Sequence, residues 1–361
     1  MLRMKVLTVV GARPQFVKAA VVSRSLRKLA EERIVHTGQH YDPGMSDVFF
    51  EEMSIPRPDW NLGVGGLHHS LATAKMLEGL AQILADYQPD FLLVYGDTTS
   101  TLAGALAGVQ HRVPVVHVEA GMRSGDMQMP EEVNRVLTDR LATFLFCPTQ
   151  HALQNLKDEG FDTRPNHHLS VVGDVMFDAT LFYLPSARPP AATLPDRFNL
   201  CTFHRAALLR DSVALRETVT ALTTIAGRCP VVLPLHPHTA KVLQEQGIDL
   251  ATSGITVIPP TSYFETLWLL QRTDMVLTDS GGLQREAYFL GKPCVTLRDE
   301  TEWVELPQSG RNLLAGNTTT GILAAYEKME VVAQNPIPPA DALFGDGNAA
   351  ERIVIELITK G

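Results

Sequence analysis

The sequence predicts an α/β protein built of two Rossmann-like domains. Three observations carry that expectation. Short apolar runs alternate with helical patterns along the chain, which implies parallel sheets with helices on both faces. A proline-rich break interrupts the alternation near the middle, and a second series begins after it. The 361 residues are too many for one ordinary core and suit two.

In the first series, strands are expected at 4–10, 33–37, 91–95, 114–118, 144–147 and 169–172. Helices are expected at 14–30, 70–87, 98–109, 131–142 and 149–159. Residues 184–197 carry four prolines among small residues and read as a linker. The second series has strands near 198–203, 230–235, 254–258, 274–278 and 293–297. Its helices fall near 211–227, 239–246, 263–272, 281–290 and 318–332. A last helix, 348–360, follows the turn FGDGNAA. The expected domains are therefore 1–183 and 198–347, with 348–361 crossing back to the first.

Composition narrows the partners. With 45% hydrophobic and 20% charged residues, the chain reads as a soluble globular protein. The net charge of −9 and the lack of a long basic stretch speak against nucleic acid. Cys147, Cys201, Cys229 and Cys294 form no CxxC pair, which fits free thiols in a reducing cytoplasm. The apolar run LTVV near the start is too short for a signal-peptide core or a membrane span, so no membrane partner is expected.

Ligands of such folds sit at the carboxyl ends of the strands, so the residues just after each strand carry most weight. After strand one comes GARP: Gly11 for a tight turn, Arg13 to fork onto phosphate, and Lys18 further up the helix as a second cation. The alternative is a surface cap and a solvated lysine. Asp97 follows FLLVY and has the rival role of a helix N-cap. Glu119 directly follows the buried run PVVHV, a placement that costs hydration unless it is paired or used. Glu131 and Glu132 follow Pro130 at a helix start, where either could simply complement the dipole. Carboxylates after successive strands point to one crevice.

In the second half, His204 and Arg205 follow one strand, and His236 and His238 follow the next. Two histidines without a third ligand make no metal site, and neither HExxH nor a DxD acidic pair occurs. TDSGGLQREA is the strongest local signal. Ser280, Gly281 and Gly282 are expected to offer hydroxyl and backbone donors to a phosphate, and Glu286 to reach a ribose. The bland alternative is a capped helix with a Gly-Gly turn. Arg298 opens another charged loop, RDETEW, that is expected to touch the substrate. Two anion-holding turns in two half-chains suggest a cleft that grips one diphosphate.

These residues resemble the non-hydrolysing UDP-N-acetylglucosamine 2-epimerases. The resemblance spans nearly the whole chain, through GARPQFVKAA, TGQH, YGDTTSTLAGALA, HVEAGMRSGD, PEEVNRVLTD, FCPT, VVGDVMFDA, TFHR, LHPHT and LTDSGGLQREAYFLGKPCVTLRDETE. That family is similar to GT-B glycosyltransferases, with two Rossmann-like domains facing a cleft. The resemblance implies catalytic roles for Asp97, Glu119, Glu131 and His204. It places Arg13, Ser280, Gly281 and Gly282 on the UDP diphosphate, and Glu286 on the ribose. It implies no metal or redox cofactor, a UDP-sugar as partner, and a homodimer. The implied reaction inverts carbon 2 by eliminating UDP to a 2-acetamidoglucal and adding it back.

Departures from the best-known members are FHRAA for GHRRE, ETEWVE (300–305) for TTERPE, and a different loop after TGQH, YDPGMSDVFFEE. Together they resemble the subgroup acting on UDP-2,3-diacetamido-2,3-dideoxyglucuronate in O-antigen synthesis, part of lipopolysaccharide. The first expectation is thus conversion of UDP-N-acetylglucosamine to UDP-N-acetylmannosamine, and the alternative is the same reaction on the diacetamido uronate. A hydrolysing relative, a GT-B glycosyltransferase and a non-catalytic nucleotide-sugar module are the remaining candidates.

Overall fold

A computed structural model describes residues 3–39, 50, 52–163, 165–335 and 342–360. His40 of TGQH and most of the loop after it lie outside the described residues. The chain divides into two compact units, 1–182 with 342–361, and 183–341.

The first unit holds a seven-stranded parallel sheet. Its strands are β1 (Lys5–Val10), β2 (Glu31–His36), β3 (Trp60–Asn61), β4 (Phe91–Tyr95), β5 (Val115–Val118), β6 (Phe144–Cys147) and β7 (His168–Val171). They lie in the order β3-β2-β1-β4-β5-β6-β7. The register pairs Thr8 with Ile34 on one side and Leu93 on the other. FLLVY of β4 is buried at every position, as a strand covered by helices on both faces must be.

The second unit repeats the plan with β8 (Asn199–Thr202), β9 (Val231–Pro234), β10 (Ile255–Ile258), β11 (Val276–Thr278), β12 (Cys294–Thr296) and β13 (Asn312–Leu314). Their order is β10-β9-β8-β11-β12-β13. Its core joins Cys201, Val231, Leu277 and Val295 of the sheet to Leu222, Ile225, Ile322 and Met329 of the helices. Both sheets therefore reverse direction between their first and fourth strands, β1/β4 and β8/β11. That switch point is where a doubly wound sheet opens a ligand crevice at its carboxyl edge.

The helix Ala349–Lys360 belongs to the first unit. Asp178 accepts from the Ala349 and Ala350 N–H groups at 3.1 and 2.7 Å, satisfying donors at that helix start. Glu356 meets His168 Nε2 and Ser170 Oγ, each at 2.6 Å. The two-residue β3, the three-residue β13 and the helix Val175–Tyr183 are additions to the elements expected from sequence. All four cysteines are free. No helix among the described residues is long and apolar enough to cross a membrane.

Candidate active site

In the first unit the turn after β1 is shaped differently from the phosphate cradle expected there. Gln15 Oε1 accepts from the N–H groups of Gly11 and Ala12 at 2.8 and 3.0 Å. Its Nε2 donates to the Tyr95 carbonyl and to Thr101 Oγ1, both at 3.0 Å. Two backbone donors that an anion would need are therefore taken up by a buried glutamine tying β1 to β4. Gly11 is required for closeness rather than for a special turn angle. A Cβ there would lie 2.1 Å from both Ser100 Oγ and Thr37 Oγ1. Arg13 begins the helix Arg13–Leu29, half-buried, with Pro14 in its first turn.

Lys18 is only 4% exposed. Its Nζ lies 2.7 Å from Glu119 Oε1. It is thus placed beside a carboxylate. Glu119 sits just beyond β5 at φ +71°, a left-handed conformation that costs a non-glycine residue of order 1–3 kcal/mol. A Cβ on Gly96 would fall 3.1 Å from Lys18 Nζ and 3.4 Å from Glu119 Oε1, so the turn before Asp97 lies beside this pair.

Asp97 is not a helix cap. Thr98 caps the helix Thr99–Gln110, its hydroxyl accepting from the Thr101 N–H. The Asp97 carboxylate instead takes Nε and Nη2 of Arg135, and its carbonyl accepts from Asn134 Nδ2 at 2.9 Å. Arg135 also donates to Glu132 at 2.8 Å, and Glu132 accepts from the Ser124 and Gly125 N–H groups at 2.9 and 3.0 Å. Burial raises the Glu132 carboxyl, but those donors and the Arg135 charge outweigh it and hold the group below its usual range. Glu132, Arg135 and Asp139 are spaced by three and four along the helix Pro130–Leu141 and share one face. Glu131 is turned off that face, half-buried, without a protein partner among the described residues.

Beneath this layer lies a network that sequence reasoning missed. His117, wholly buried in β5, places Nδ1 2.7 Å from Asp139 Oδ1 and Nε2 2.7 Å from the Gly96 carbonyl. Arg123 donates to Asp139 at 2.7 Å and to Glu159 at 2.6 Å. The available signal was a histidine inside the buried apolar run VVHV, a position that requires hydrogen-bond partners for both ring nitrogens.

In the second unit the helix Gly281–Phe289 follows β11. Ser280 caps it, its hydroxyl accepting from the Leu283 N–H at 3.4 Å. The N–H groups of Gly281 and Gly282 have no acceptor among the described residues, so this turn does present open donors at a positive helix end. A Cβ on Gly281 would lie 2.8 Å from Glu302 Oε1. Glu302 meets Arg298 at 3.0 Å and Arg205 at 3.9 Å, which gathers two cations beside the open turn. Glu286 is 5% exposed, inside that helix's buried face.

His204 is largely exposed just after β8, beside β11. Asp279, which sequence reasoning passed over, accepts from the His204 and Arg205 N–H groups at 2.9 and 2.8 Å. His236 follows β9, one strand away from the switch point, and is not brought to this group. It caps the helix Pro237–Glu245, with Nδ1 accepting from the His238 N–H at 3.3 Å. That is a structural role a strand-end histidine often has. Among the described residues no three His, Cys, Asp or Glu side chains are grouped to hold a metal ion.

Residues 24–358 match the family model described as UDP-N-acetylglucosamine 2-epimerase. The chain belongs to this family. It is 48% identical over 354 residues to the UDP-2,3-diacetamido-2,3-dideoxy-D-glucuronate 2-epimerase of Pseudomonas aeruginosa, covering 97% of this chain and 98% of that one. The fold is similar to the crystal structure of Methanocaldococcus jannaschii UDP-GlcNAc 2-epimerase in complex with UDP-GlcNAc and UDP. There the TM-score is 0.91, with 36% identity over 99% of this chain and all of that one. A Neisseria meningitidis UDP-GlcNAc 2-epimerase bound to UDP-GlcNAc gives a TM-score of 0.89 at 30% identity, with 99% and 100% covered. The fold class is thus the GT-B-like α/β class of these epimerases, which are isomerases.

Proposed function

We propose that this chain is a non-hydrolysing UDP-sugar 2-epimerase, and that UDP-2,3-diacetamido-2,3-dideoxyglucuronate is its substrate, with UDP-N-acetylglucosamine as the second candidate. What carries the reaction type is the first unit's set of three carboxylates: Asp97 held by Arg135, Glu119 held by Lys18 on a strained backbone, and Glu131 half-buried. The 48% identity to the Pseudomonas enzyme favours the uronate over the plain hexosamine.

The proton on carbon 2 is not acidic while the anomeric carbon is intact, so the leaving group must go as the proton is taken. A carboxylate removes the proton, the bond from carbon 1 to the UDP oxygen breaks, and a 2-acetamidoglucal and UDP result. Return of a proton to the opposite face, with UDP re-added at carbon 1, completes the inversion. Open Gly281 and Gly282 donors, with the Ser280 hydroxyl, Arg205 and Arg298, are suited to the charge that grows on UDP. Glu286 is assigned to the ribose. Asp97 and Glu119 share their lone pairs with Arg135 and Lys18. Glu131 has none committed and is therefore the carboxylate assigned to proton transfer, with His204 as its counterpart.

Proton NMR in heavy water, without added metal, tests this. Deuterium at carbon 2 and growth of the 2-epimer, with UDP retained, are expected with the diacetamido uronate. Exchange with UDP-N-acetylglucosamine instead would reassign the sugar. Accumulating free UDP would indicate hydrolysis, and silence with both substrates would reject the epimerase. A cytoplasmic homodimer supplying lipopolysaccharide precursors completes the proposal, and light scattering after gel filtration checks its mass.

A further inference from the structure

We propose that Asp279 is a positioning residue for His204: its buried Oδ1 is the seat for the Nδ1–H of that ring, which leaves Nε2 as the nitrogen facing the substrate. This rests on the reading above of His204 as a group that acts on the sugar nucleotide.

Asp279 is 1% exposed, at the end of β11. Oδ2 is satisfied by the backbone N–H groups of His204 and Arg205. Oδ1 is buried and has no hydrogen-bond donor. A carboxylate oxygen left so is costly, and the site is stable only if a donor reaches it. Several groups at the neighbouring strand ends bond to one another. Thr202 and Thr278 bond one another at 2.7 Å. The Asp279 N–H goes to the Thr202 carbonyl, and the Ser280 N–H to Thr278 Oγ1. The ring nitrogen placed opposite it is His204 Nδ1, 3.7 Å from Oδ1. That separation is too long for a hydrogen bond, and closing it takes a movement of about 0.9 Å. The ring is 55% exposed, so it is free to make that movement.

The same carboxylate therefore pins the backbone of His204 and aims its ring. With Nδ1–H donated to Asp279, the neutral imidazole presents a lone pair at Nε2, the arrangement a proton acceptor needs. Replacing Asp279 by Asn reverses it. The amide oxygen must serve the two backbone N–H groups, so the amide NH2 faces Nδ1. Nδ1 must then accept, and the proton moves to Nε2.

The test is nitrogen-15 NMR of the imidazole groups in the full-length protein, with His204 assigned by its loss in H204Q. The expected result is an Nδ1–H tautomer in the wild type and an Nε2–H tautomer in D279N, with unchanged circular dichroism. Epimerisation should lose roughly 10²–10³-fold in kcat with KM nearly unchanged. In an H204Q background, D279N should cost nothing further. An Nε2–H tautomer in the wild type overturns the proposal even if D279N does not fold. An equal loss from D279N in both backgrounds overturns it too. Full activity in H204Q instead overturns the catalytic reading of His204, which the tautomer measurement does not depend on.

Discussion

Lys18 Nζ lies 2.7 Å from Glu119 Oε1, with the two side chains 5% and 9% exposed. A pair this deep has lost most of its hydration, so removing one partner strands the other. Lys18→Met should cost about 3–5 kcal/mol of stability, because the Glu119 charge stays buried without that cation. The double variant K18M/E119Q should recover most of that stability and none of the activity. Urea denaturation of the three proteins checks the first statement, and the heavy-water exchange assay the second. Equal stability of K18M and the double variant would show that the pair is not coupled.

Glu119 also carries a backbone cost, at φ +71°. Glycine adopts that conformation freely and alanine does not. Glu119→Gly should therefore be more stable than Glu119→Ala by about 1 kcal/mol, the reverse of their order at an ordinary extended position. Denaturant midpoints of the two variants decide it. Both should be inactive, since both lose the carboxylate.

The architecture was legible because periodicity reports burial. FLLVY and FLFC read as strands covered on both faces, and they are. β3 and β13 escaped because WN and NLL are short and mix polar with apolar residues, whereas the equally short β11 and β12 lie in longer apolar runs. Asp97, Glu119, His204 and Ser280 all sit at strand ends, as the sequence pattern placed them. Partners were not legible. Gln15 meets Tyr95 across 80 residues, Asp279 meets His204 across 75, Arg135 meets Asp97 across 38 and Asp139 meets His117 across 22, and spacing alone does not say which donor meets which acceptor. The first turn shows this. Its glycine and helix start look like an anion site, and only the folded chain reveals the Gln15 side chain in that place.

The two glycines of the second turn should behave differently. A Cβ at Gly281 meets Glu302 Oε1 at 2.8 Å, whereas at Gly282 the nearest atom is Ser280 Oγ at 3.8 Å. Gly281→Ala should push Glu302 off Arg298 and weaken UDP binding, as read by calorimetry. Gly282→Ala should fold with stability at or above the wild type, since alanine favours a helix over glycine by about 1 kcal/mol. Matching UDP affinities for the two would refute the link through Glu302.

Acid should separate two buried carboxylates by sign. Burial raises Asp139, but the His117 hydrogen bond and the His117 and Arg123 charges outweigh it, so its carboxyl titrates below the usual value. A depressed folded value contributes stability that is present above the unfolded value, near 4, and lost as pH falls through the folded one. Asp139→Asn should thus cost about 3–5 kcal/mol at neutral pH, and the gap to wild type should narrow only below about pH 4. Asp178 runs the other way. Burial is its largest influence, and the carboxyl is raised despite the Ala349 and Ala350 N–H groups. Its contribution is full below the unfolded value and fades as pH rises through the folded one. Asp178→Asn keeps an amide oxygen for one of those donors, so its stability relative to wild type should improve as pH is raised from 4 to 7. Urea midpoints taken every half unit of pH give both slopes, and a Asp178→Asn difference that falls over that range would show that the helix-end donors, not burial, govern the group.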